Sequence, residues 1–346
     1  MRDLALGLTR HDAVAFGRQG GPTALGRARI EALHPSERGG FSPGLRENLR
    51  VLTRLVTTRG ADAWHFFFAP NPKTSRAARL VSSLRRARTV QTVCSVPGDG
   101  VDLERVLFAD RVVVLSRHTE QRFLRAGIAR ERLVRIAPAA PPLDLPDPAQ
   151  RATLRGELGL HPERPLVLYP GDLEFGRAAR LMVDAHARLA GDTELALACR
   201  AKTPAARQRE TELKERAREL GTLERVRFVG ETPRIVELLG VADVVALPSE
   251  VAYAKMDYPL VLLEAMALGC PVIVAEATPA AELADDGGAL AVEPNETALA
   301  ALLGRLLLDS RARVAQGTAA RAAILANFGR ARMAAAYELL YDALLS

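Results

Sequence analysis

A single carboxylate lies inside an apolar run with helical character. Residues 260–268 read LVLLEAMAL, and Glu264 is the one charged residue among them. Burying a carboxylate without a partner is costly, and carboxylates in such environments cluster at functional sites. Either Glu264 is a polar residue on a packed helix, or it accepts hydrogen bonds from a ligand's hydroxyl groups, such as those of a ribose. The apolar residues on either side of Glu264 favour the second interpretation, in which it binds a ligand.

The start of the same helix is suited to an anion. Asp257, Tyr258 and Pro259 lead into it, and a proline at a helix start is pre-organised for the first turn. The first N–H groups of a helix have no acceptor within it, and the helix dipole adds partial positive charge there. The amides near Leu260 therefore predict a site for a diphosphate.

Two lysines lie close to this region in sequence. The chain has 47 Lys and Arg residues but only four lysines. Lys255 directly precedes the helix entry, and Lys202 follows a strand end together with Arg200. They would neutralise a phosphate leaving group, or they simply face solvent as most lysines do.

Strand-like and helix-like segments alternate along the chain. The strand-like runs fall at 62–68, 89–94, 110–115, 166–169, 195–199, 226–229, 244–247 and 272–274. Apolar runs joined by amphipathic helices are typical of parallel sheets covered on both faces, which predicts an α/β fold. The tail reads as three helices, at 296–308, 310–328 and 330–345.

A proline-rich segment divides this pattern. Residues 137–148 contain five prolines in twelve residues, which favours a linker over a helix or central strand. We therefore expect two doubly wound domains, over 1–145 and 146–328, with a helix at 329–346 that packs back on the first. Ligands bind outside the carboxyl ends of parallel strands, so the cleft between the domains is the expected site.

The segment 244–274, VVALPSEVAYAKMDYPLVLLEAMALGCPVIV, carries a family resemblance. Its order of strand, Pro-Ser, loop and LLEAMALGCPVIV is similar to the donor-binding signature of the family 4 retaining glycosyltransferases. VRFVGE at 226–231, ELADDGG at 282–288 and the segment 109–137 also fit the family's order. The resemblance implies a GT-B fold, in which two Rossmann-like domains face a central cleft.

This resemblance also implies a reaction. A hexose would pass from a nucleotide-diphosphate sugar to a lipid-linked, polysaccharide or other glycan acceptor, with retention and without an obligatory metal or other cofactor. Glu264 would hold the ribose, the amides near Leu260 the diphosphate, and Thr232 would lie near the base. Lys255 and Lys202 would act electrostatically on the leaving group. The other expected donor-site residues are Gly171, Asp172, Arg200, Ser249, Asp257, Tyr258 and Pro259.

Several positions depart from the family's pattern. Met256 stands where the family has the first of two glutamates, and Tyr258-Pro259 stands where it has a Phe-Gly pair. Cys94 takes the place of a histidine. The family's diphosphate-binding Arg and Lys align near Asp172 and Phe175. One hypothesis is a variant donor site that uses the two lysines. Another is a catalytically degenerate protein that binds nucleotide or glycan, or scaffolds a partner glycosyltransferase. A third, a nucleotide-sugar epimerase, needs acidic residues around the cleft that the sequence does not locate.

The N-terminus departs as well. The family opens with a strand and a Gly-rich acceptor loop, whereas residues 3–9 resemble the helix after that loop and 12–16 the second strand. Gly20 and Gly21 follow the wrong element to be the loop. We expect the first strand to be absent, either through a misplaced start or through genuine loss, and a missing central strand would leave an unpaired sheet edge.

His65 is the candidate general base, although a lone histidine in an apolar strand is more often structural. We find no Asp-x-Asp metal motif, Ser-His-Asp arrangement or P-loop. With 5% aromatic residues, no basic-aromatic interleaving indicates nucleic-acid binding. The three cysteines have no paired spacing, so buried free thiols are expected.

Charge is distributed unevenly. Residues 1–150 contain 24 Lys and Arg against 14 Asp and Glu, a net charge of +10, whereas the remainder has 23 against 27, a net of −4. The basic helix-like stretch 73–88 would contact anionic lipid headgroups or a phosphorylated acceptor, or is simply a solvated face. No signal segment and no run of membrane-spanning length is seen, so we expect a cytoplasmic protein, peripheral at the inner face of the membrane.

Overall fold

The computed structural model describes residues 1–35, 44–98, 100–174, 176–201, 203–251, 256–285 and 287–346. The chain divides into two units. The first contains Met1–Ala139 and Phe328–Ser346, and the second contains Ala140–Ala252 and Asp257–Asn327. Each unit combines parallel strands with helices, as the sequence predicts.

The elements follow one another in chain order. Those before the proline-rich segment are α1 (Arg2–Gly7), β1 (Ala13–Arg18), β2 (Ala24–Leu25), β3 (Ala28–His34), α2 (Leu45–Thr57), β4 (Ala63–Phe68), α3 (Pro72–Arg85), β5 (Arg88–Val93), α4 (Leu103–Val106), β6 (Arg111–Val114), α5 (Arg117–Arg125) and β7 (Leu133–Arg135). Those after it are α6 (Arg151–Glu157), β8 (Leu166–Tyr169), α7 (Ala178–His186), β9 (Glu194–Leu197), α8 (Pro204–Glu219), β10 (Val226–Phe228), α9 (Ile235–Val241), β11 (Val244–Leu247), α10 (Leu260–Ala267), β12 (Val272–Ala275), β13 (Leu290–Val292), α11 (Glu296–Leu308), α12 (Ser310–Asn327) and α13 (Arg330–Leu345).

The second unit is built on one continuous sheet. Its described strands lie in the order β10-β9-β8-β11-β12-β13, and every pair is parallel. All residues of β8, β9, β11 and β12 are buried, as apolar strands covered on both faces should be. Because the chain turns from one side of β8 to the other at β11, the sheet's topological switch point lies between these two strands.

A buried ion-pair cluster joins the starts of these two strands. Asp243 Oδ2 accepts hydrogen bonds from the Leu166 amide and from Arg155 Nη2, each at 2.8 Å, and Oδ1 accepts one from Arg151 at 2.9 Å. Arg155 is 3% exposed and also donates to the Val241 carbonyl. Burial alone would raise the pKa of Asp243, but the two arginines and the amide hold it below its usual value.

The first unit has two separate sheets within its described residues. One has the order β1-β3-β2, with β1 parallel and β2 antiparallel to β3. The other has the order β4-β5-β6-β7 and is parallel throughout. Helix α1 precedes β1, in agreement with the helix and second strand that the sequence predicts there.

The last helix of the chain completes the core of this unit. Met333, Ala334 and Tyr337 of α13 belong to one hydrophobic cluster with Leu4 and Leu8. Buried Glu338, on the same helix, accepts hydrogen bonds from the backbone amides of Thr9 (2.8 Å) and Arg10 (2.6 Å) and from the Thr9 hydroxyl (2.9 Å). Burial opposes ionisation of Glu338, yet these donors lower its pKa to about 2.

Candidate functional site

The predicted donor-site residues of the second unit gather at one edge of its sheet. Gly171 and Asp172 follow β8, Arg200 follows β9, Thr232 follows β10 and Ser249 follows β11. The carboxyl ends of parallel strands share one edge, where α/β proteins bind ligands. The loops also contact one another, since the backbone of Asp172 pairs with that of Arg200, which forms a 2.9 Å ion pair with Glu231.

The loop after β8 depends on a glycine. A Cβ atom on Gly171 would lie only 2.1–2.5 Å from atoms of the Tyr169 ring. That ring is fully buried, and its hydroxyl donates a 3.3 Å hydrogen bond to the Asp172 carbonyl. The close approach of ring and backbone fixes the path of the loop at the switch point.

Glu264 lies on α10 as the sequence predicts, and its carboxylate is half-buried. Its neighbours Leu263 and Ala265 are fully buried. Among the described residues, Glu264 has no hydrogen-bond or ion-pair partner for its side chain, and burial raises its pKa. A carboxylate in this position is available to accept hydrogen bonds from a bound molecule.

Helix α10 begins at Leu260 directly after Pro259. The first-turn amides of Leu260 and Val261 precede the first intrahelical hydrogen bonds and are therefore the donors that an anion would use. Asp257 and Tyr258 are buried, and the Tyr258 hydroxyl donates a 2.7 Å hydrogen bond to Glu282. Tyr258 thus anchors the helix entry.

Two predicted hydroxyl groups stabilise their own loops. Thr232 Oγ1 accepts a 3.1 Å hydrogen bond from the Arg234 amide, and Ser249 Oγ donates to the Val251 carbonyl at 3.4 Å. Gly230 has a φ of +72°, which lets the loop after β10 turn toward Thr232. These contacts place both residues at the edge of the sheet and assign them a part in shaping it.

The cations at this edge differ from those expected. Lys202 and Lys255 lie outside the described residues, as does Phe175. Arg177, which the sequence reasoning missed, precedes α7 and forms an exposed ion pair of 3.2 Å with Glu250 after β11. Arg177 therefore connects the two loops that flank the switch point. In the sequence it is one arginine among many, and only the sheet order distinguishes it.

His65 of the first unit has partners at both ring nitrogens. Nδ1 lies 2.7 Å from the Tyr341 hydroxyl and Nε2 lies 2.7 Å from Thr92 Oγ1, which in turn contacts the Tyr337 hydroxyl at 3.0 Å. Burial lowers the pKa of His65 to about 3. This network supports the structural role for His65.

The remaining observations concern cysteines, metal binding and membrane-spanning helices. Cys94, Cys199 and Cys270 form no disulfide within the described residues. Within the part of the chain that the structure describes, no group of three or more His, Cys, Asp or Glu side chains is arranged to hold a metal ion. In the same residues, no helix combines the length and apolar character needed to cross a bilayer.

The chain belongs to the family described as Glycosyl transferases group 1, whose model matches residues 150–323. This confirms the resemblance stated from the sequence. The matched range covers the sheet of the second unit and the edge where the predicted donor residues lie.

Relatives and solved structures agree with this assignment. A D-inositol 3-phosphate glycosyltransferase from Nocardia farcinica is 35% identical over 58% of this chain. A GDP-mannose-dependent alpha-(1-6)-phosphatidylinositol monomannoside mannosyltransferase from Mycolicibacterium smegmatis is 32% identical over 67% of it. The chain spans 46% and 62%, respectively, of the lengths of these relatives.

Similarity in structure extends over nearly the whole chain. The structure of Anabaena Alr3699/HepE in complex with UDP and glucose has a TM-score of 0.77 at 20% identity and covers 96% of this chain and all of that one. Sucrose-phosphate synthase from Thermosynechococcus elongatus has a TM-score of 0.73 at 21% identity, over 96% of this chain and 88% of its own. The GT-B fold predicted from the sequence is confirmed.

Proposed function

We propose that the protein transfers a hexose from a nucleotide-diphosphate sugar to a lipid-linked, polysaccharide or other glycan acceptor, with retention and without an obligatory metal or other cofactor. Membership of a glycosyltransferase family supports the reaction class. The observation that carries the donor site is Glu264, a half-buried carboxylate without a partner among the described residues, on a helix that follows the switch-point strand β11.

The donor would be held by a carboxylate that accepts hydrogen bonds and by backbone amides that donate them. Glu264 accepts hydrogen bonds from the ribose hydroxyls, and the amides at Leu260 and Val261 donate to the diphosphate. Charge that develops on the departing diphosphate is stabilised by these pre-oriented amides and by Arg177 once it leaves Glu250. Lys255 and Lys202 remain predicted contributors of the same kind.

Relatives narrow the choice of substrates to test. The name of the Nocardia farcinica relative includes D-inositol 3-phosphate, and that of the Mycolicibacterium smegmatis relative includes GDP-mannose and a phosphatidylinositol monomannoside. The structure of Anabaena Alr3699/HepE contains UDP and glucose. UDP- and GDP-hexoses are therefore the first donors to assay, and phosphorylated inositols and their lipids are the first acceptors.

A surface of the first unit supports contact with an anionic membrane. Leu80 and Leu84 of α3 are 61% and 71% exposed, and Leu49 of α2, which packs beside α3, is 62% exposed. The same two helices and the C-cap of α3 also carry exposed basic residues: Arg46, Arg50, Lys73, Arg76 and Arg86. Apolar side chains among cations are suited to the headgroup region of anionic lipids, where a lipid-linked acceptor resides.

A second candidate function is donor binding without turnover. It is favoured by Met256, which stands where the family has a glutamate facing the transferred sugar, and by the divided sheet of the first unit. Binding and turnover must therefore be measured separately.

The first experiment measures thermal stabilisation by UDP, GDP, ADP and their hexosides. A ligand at about 100 times its dissociation constant adds about 2.7 kcal/mol to the free energy of unfolding. Selective stabilisation that is lost in Glu264→Gln but kept in Glu215→Ala, an exposed control on α8, supports the donor site. Hexose release or transfer by the same protein supports the enzyme, and binding without either supports the second candidate. If no nucleotide stabilises the protein, both candidates fail.

A further inference from the structure

A pocket at the amino end of the first unit's four-stranded sheet lies apart from the residues discussed so far. Its volume is about 480 Å³, and its lining residues are 88, 108–111, 132, 343, 344 and 346. All of them belong to the first unit. Because β5, β6 and β7 are parallel, the residues at their starts lie along one edge of the sheet. Sheets of this kind bind their ligands at the opposite, carboxyl edge, so this pocket is a separate feature.

Each of these three adjacent strands brings an arginine to the pocket. Arg88 and Arg111 are the first residues of β5 and β6, and Arg132 directly precedes β7. Arg132 forms a 3.1 Å ion pair with Glu104 and donates a 2.6 Å hydrogen bond to the Leu107 carbonyl. Among the residues that the structure describes, neither Arg88 nor Arg111 is paired with a carboxylate; Arg111 donates only to the carbonyl of the residue before it.

The acidic group of the lining, Asp110, is held by other donors. Its Oδ2 atom accepts hydrogen bonds from the Thr89 amide at 2.7 Å and from the Thr89 hydroxyl at 2.8 Å. The three arginines give three positive charges, against two negative ones when Glu104 is counted with Asp110. The pocket therefore has an excess of positive charge, which favours an anion.

One wall of the pocket is apolar and fixed in place. Phe108 is half-buried, and its ring centroid lies 5.1 Å from that of Phe66 and 6.0 Å from that of Phe68. Its amide donates a 3.2 Å hydrogen bond to Gln91, which is buried. Leu344 of α13 completes this wall. A wall formed before binding reduces the loss of conformational entropy when a ligand binds.

We propose that this pocket binds a small phosphate monoester that carries an apolar group. A monoester has a charge of about −2 at neutral pH, which matches the two arginines that have no carboxylate partner. The planar guanidinium groups of Arg88 and Arg111 donate paired hydrogen bonds to the phosphate oxygens. The apolar group packs on Phe108 and Leu344. The volume of the pocket lies within the range usual for small ligands.

Calorimetric titration with inorganic phosphate, phenyl phosphate and hexyl phosphate tests the ligand chemistry. At least one ester should bind at least ~tenfold more tightly than inorganic phosphate, since only the esters use the apolar wall. A preference for phenyl phosphate indicates a ligand with a planar ring, such as a nucleotide, and a preference for hexyl phosphate indicates a lipid-like chain. The proposal is wrong if neither ester binds, or if inorganic phosphate binds as tightly as both.

Substitutions test the two arginines. Arg88→Gln and Arg111→Gln should each weaken binding of the preferred ester by about tenfold, because each removes a charge-assisted contact. Their thermal unfolding should match that of the wild-type protein, since neither residue has an ion-pair partner to lose. Arg125→Gln is the matched control, because Arg125 is an exposed residue of α5 that contacts only Gln121. Equal weakening in the control would show a general effect of net charge and would overturn the proposal.

Hydrogen exchange supplies the location. On binding of the preferred ester, the amides of residues 107–111 and of the last turn of α13 should exchange more slowly, while those of α10 in the second unit should not change. Protection of α10 alone would place the ester at the predicted donor site, and the proposed pocket would then be excluded.

Discussion

The two units use the same types of element but differ in how completely their sheets are formed. In the described part of the second unit, six parallel strands form one sheet whose four central strands are wholly buried. In the first, β1 and β4 are largely only part-buried, and the strands fall into two sheets. The region that carries the family match is thus stabilised within its own sheet. The first unit depends instead on the packing of α13 and on side-chain hydrogen bonds to that helix.

The largest expected effect concerns the ion-pair cluster at the starts of β8 and β11. Asp243→Ala leaves Arg155 buried without its charge partner, which should destabilise the second unit by about 3–5 kcal/mol. Asp192→Ala removes an exposed pair with Arg164 and should cost about 1 kcal/mol or less. Unfolding by chemical denaturant, monitored by hydrogen exchange, would show whether the loss of stability is confined to the second unit. Equal effects of the two variants would contradict the prediction.

The next effect sharpens the role of the loop after β8. Gly171→Ala forces a Cβ atom into the buried Tyr169 ring and should cost about 1–3 kcal/mol through overpacking. Donor binding should weaken with it, because the loop must move. Gly156→Ala in α6 is the control, since no atom lies within 4 Å of its added Cβ, and it should be neutral or stabilising. Thermal unfolding and nucleotide titration test both variants; unchanged stability in Gly171→Ala would remove this account of the loop.

The first unit is probed through Glu338. Glu338→Gln removes the negative charge that accepts the Thr9 and Arg10 amides and should cost about 2 kcal/mol at neutral pH. The folded-state pKa of about 2 lies below the ordinary value of 4.5. The stabilisation is therefore fully present above pH 4.5 and is lost as the pH falls toward 2.

Denaturant unfolding monitored by Trp64 fluorescence between pH 7 and about 2 measures this difference. The wild-type protein and Glu338→Gln should converge in stability at the acid end. Parallel curves over the whole range would show that the carboxylate contributes no charge-dependent stabilisation.

The smallest effect on stability is expected for Arg177. Its ion pair with Glu250 is exposed, so Arg177→Ala should change the free energy of unfolding by less than about 1 kcal/mol. Donor affinity should nevertheless fall about fivefold, equivalent to roughly 1 kcal/mol. Arg188→Ala, which breaks an exposed pair with Glu296 elsewhere in the same unit, should alter neither quantity. Equal donor affinity in the two variants would exclude Arg177 from the site.

Local patterns were sufficient to predict much of this fold. The strand at 244–247 and the helix at 296–308 coincide with β11 and α11 because apolar periodicity and capping act over neighbouring residues. Glu264 was identified by the same logic, as a charge that an apolar helix does not explain. The helix at residues 3–9 and the strand after it were anticipated from the resemblance.

Partners that are distant in sequence could not be predicted. Glu338 contacts a segment 329 residues away, and the pairing of Arg177 with Glu250 depends on the order of β8 and β11 in the sheet. His65 shows the same limit, since its partners Thr92 and Tyr341 come from another strand and the last helix. The apolar periodicity of one segment does not indicate which side chains, distant in sequence, will contact that segment.

The position of α13 has a consequence for biosynthesis. Domains usually fold in the order in which the ribosome produces them, but the hydrophobic cluster of the first unit includes residues of α13, which is translated after the whole of the second unit. The core of the first unit is therefore completed only after the second unit has been synthesised, and its apolar surface stays uncovered until then. A nascent chain arrested before Arg330 should recruit chaperones to its N-terminal half.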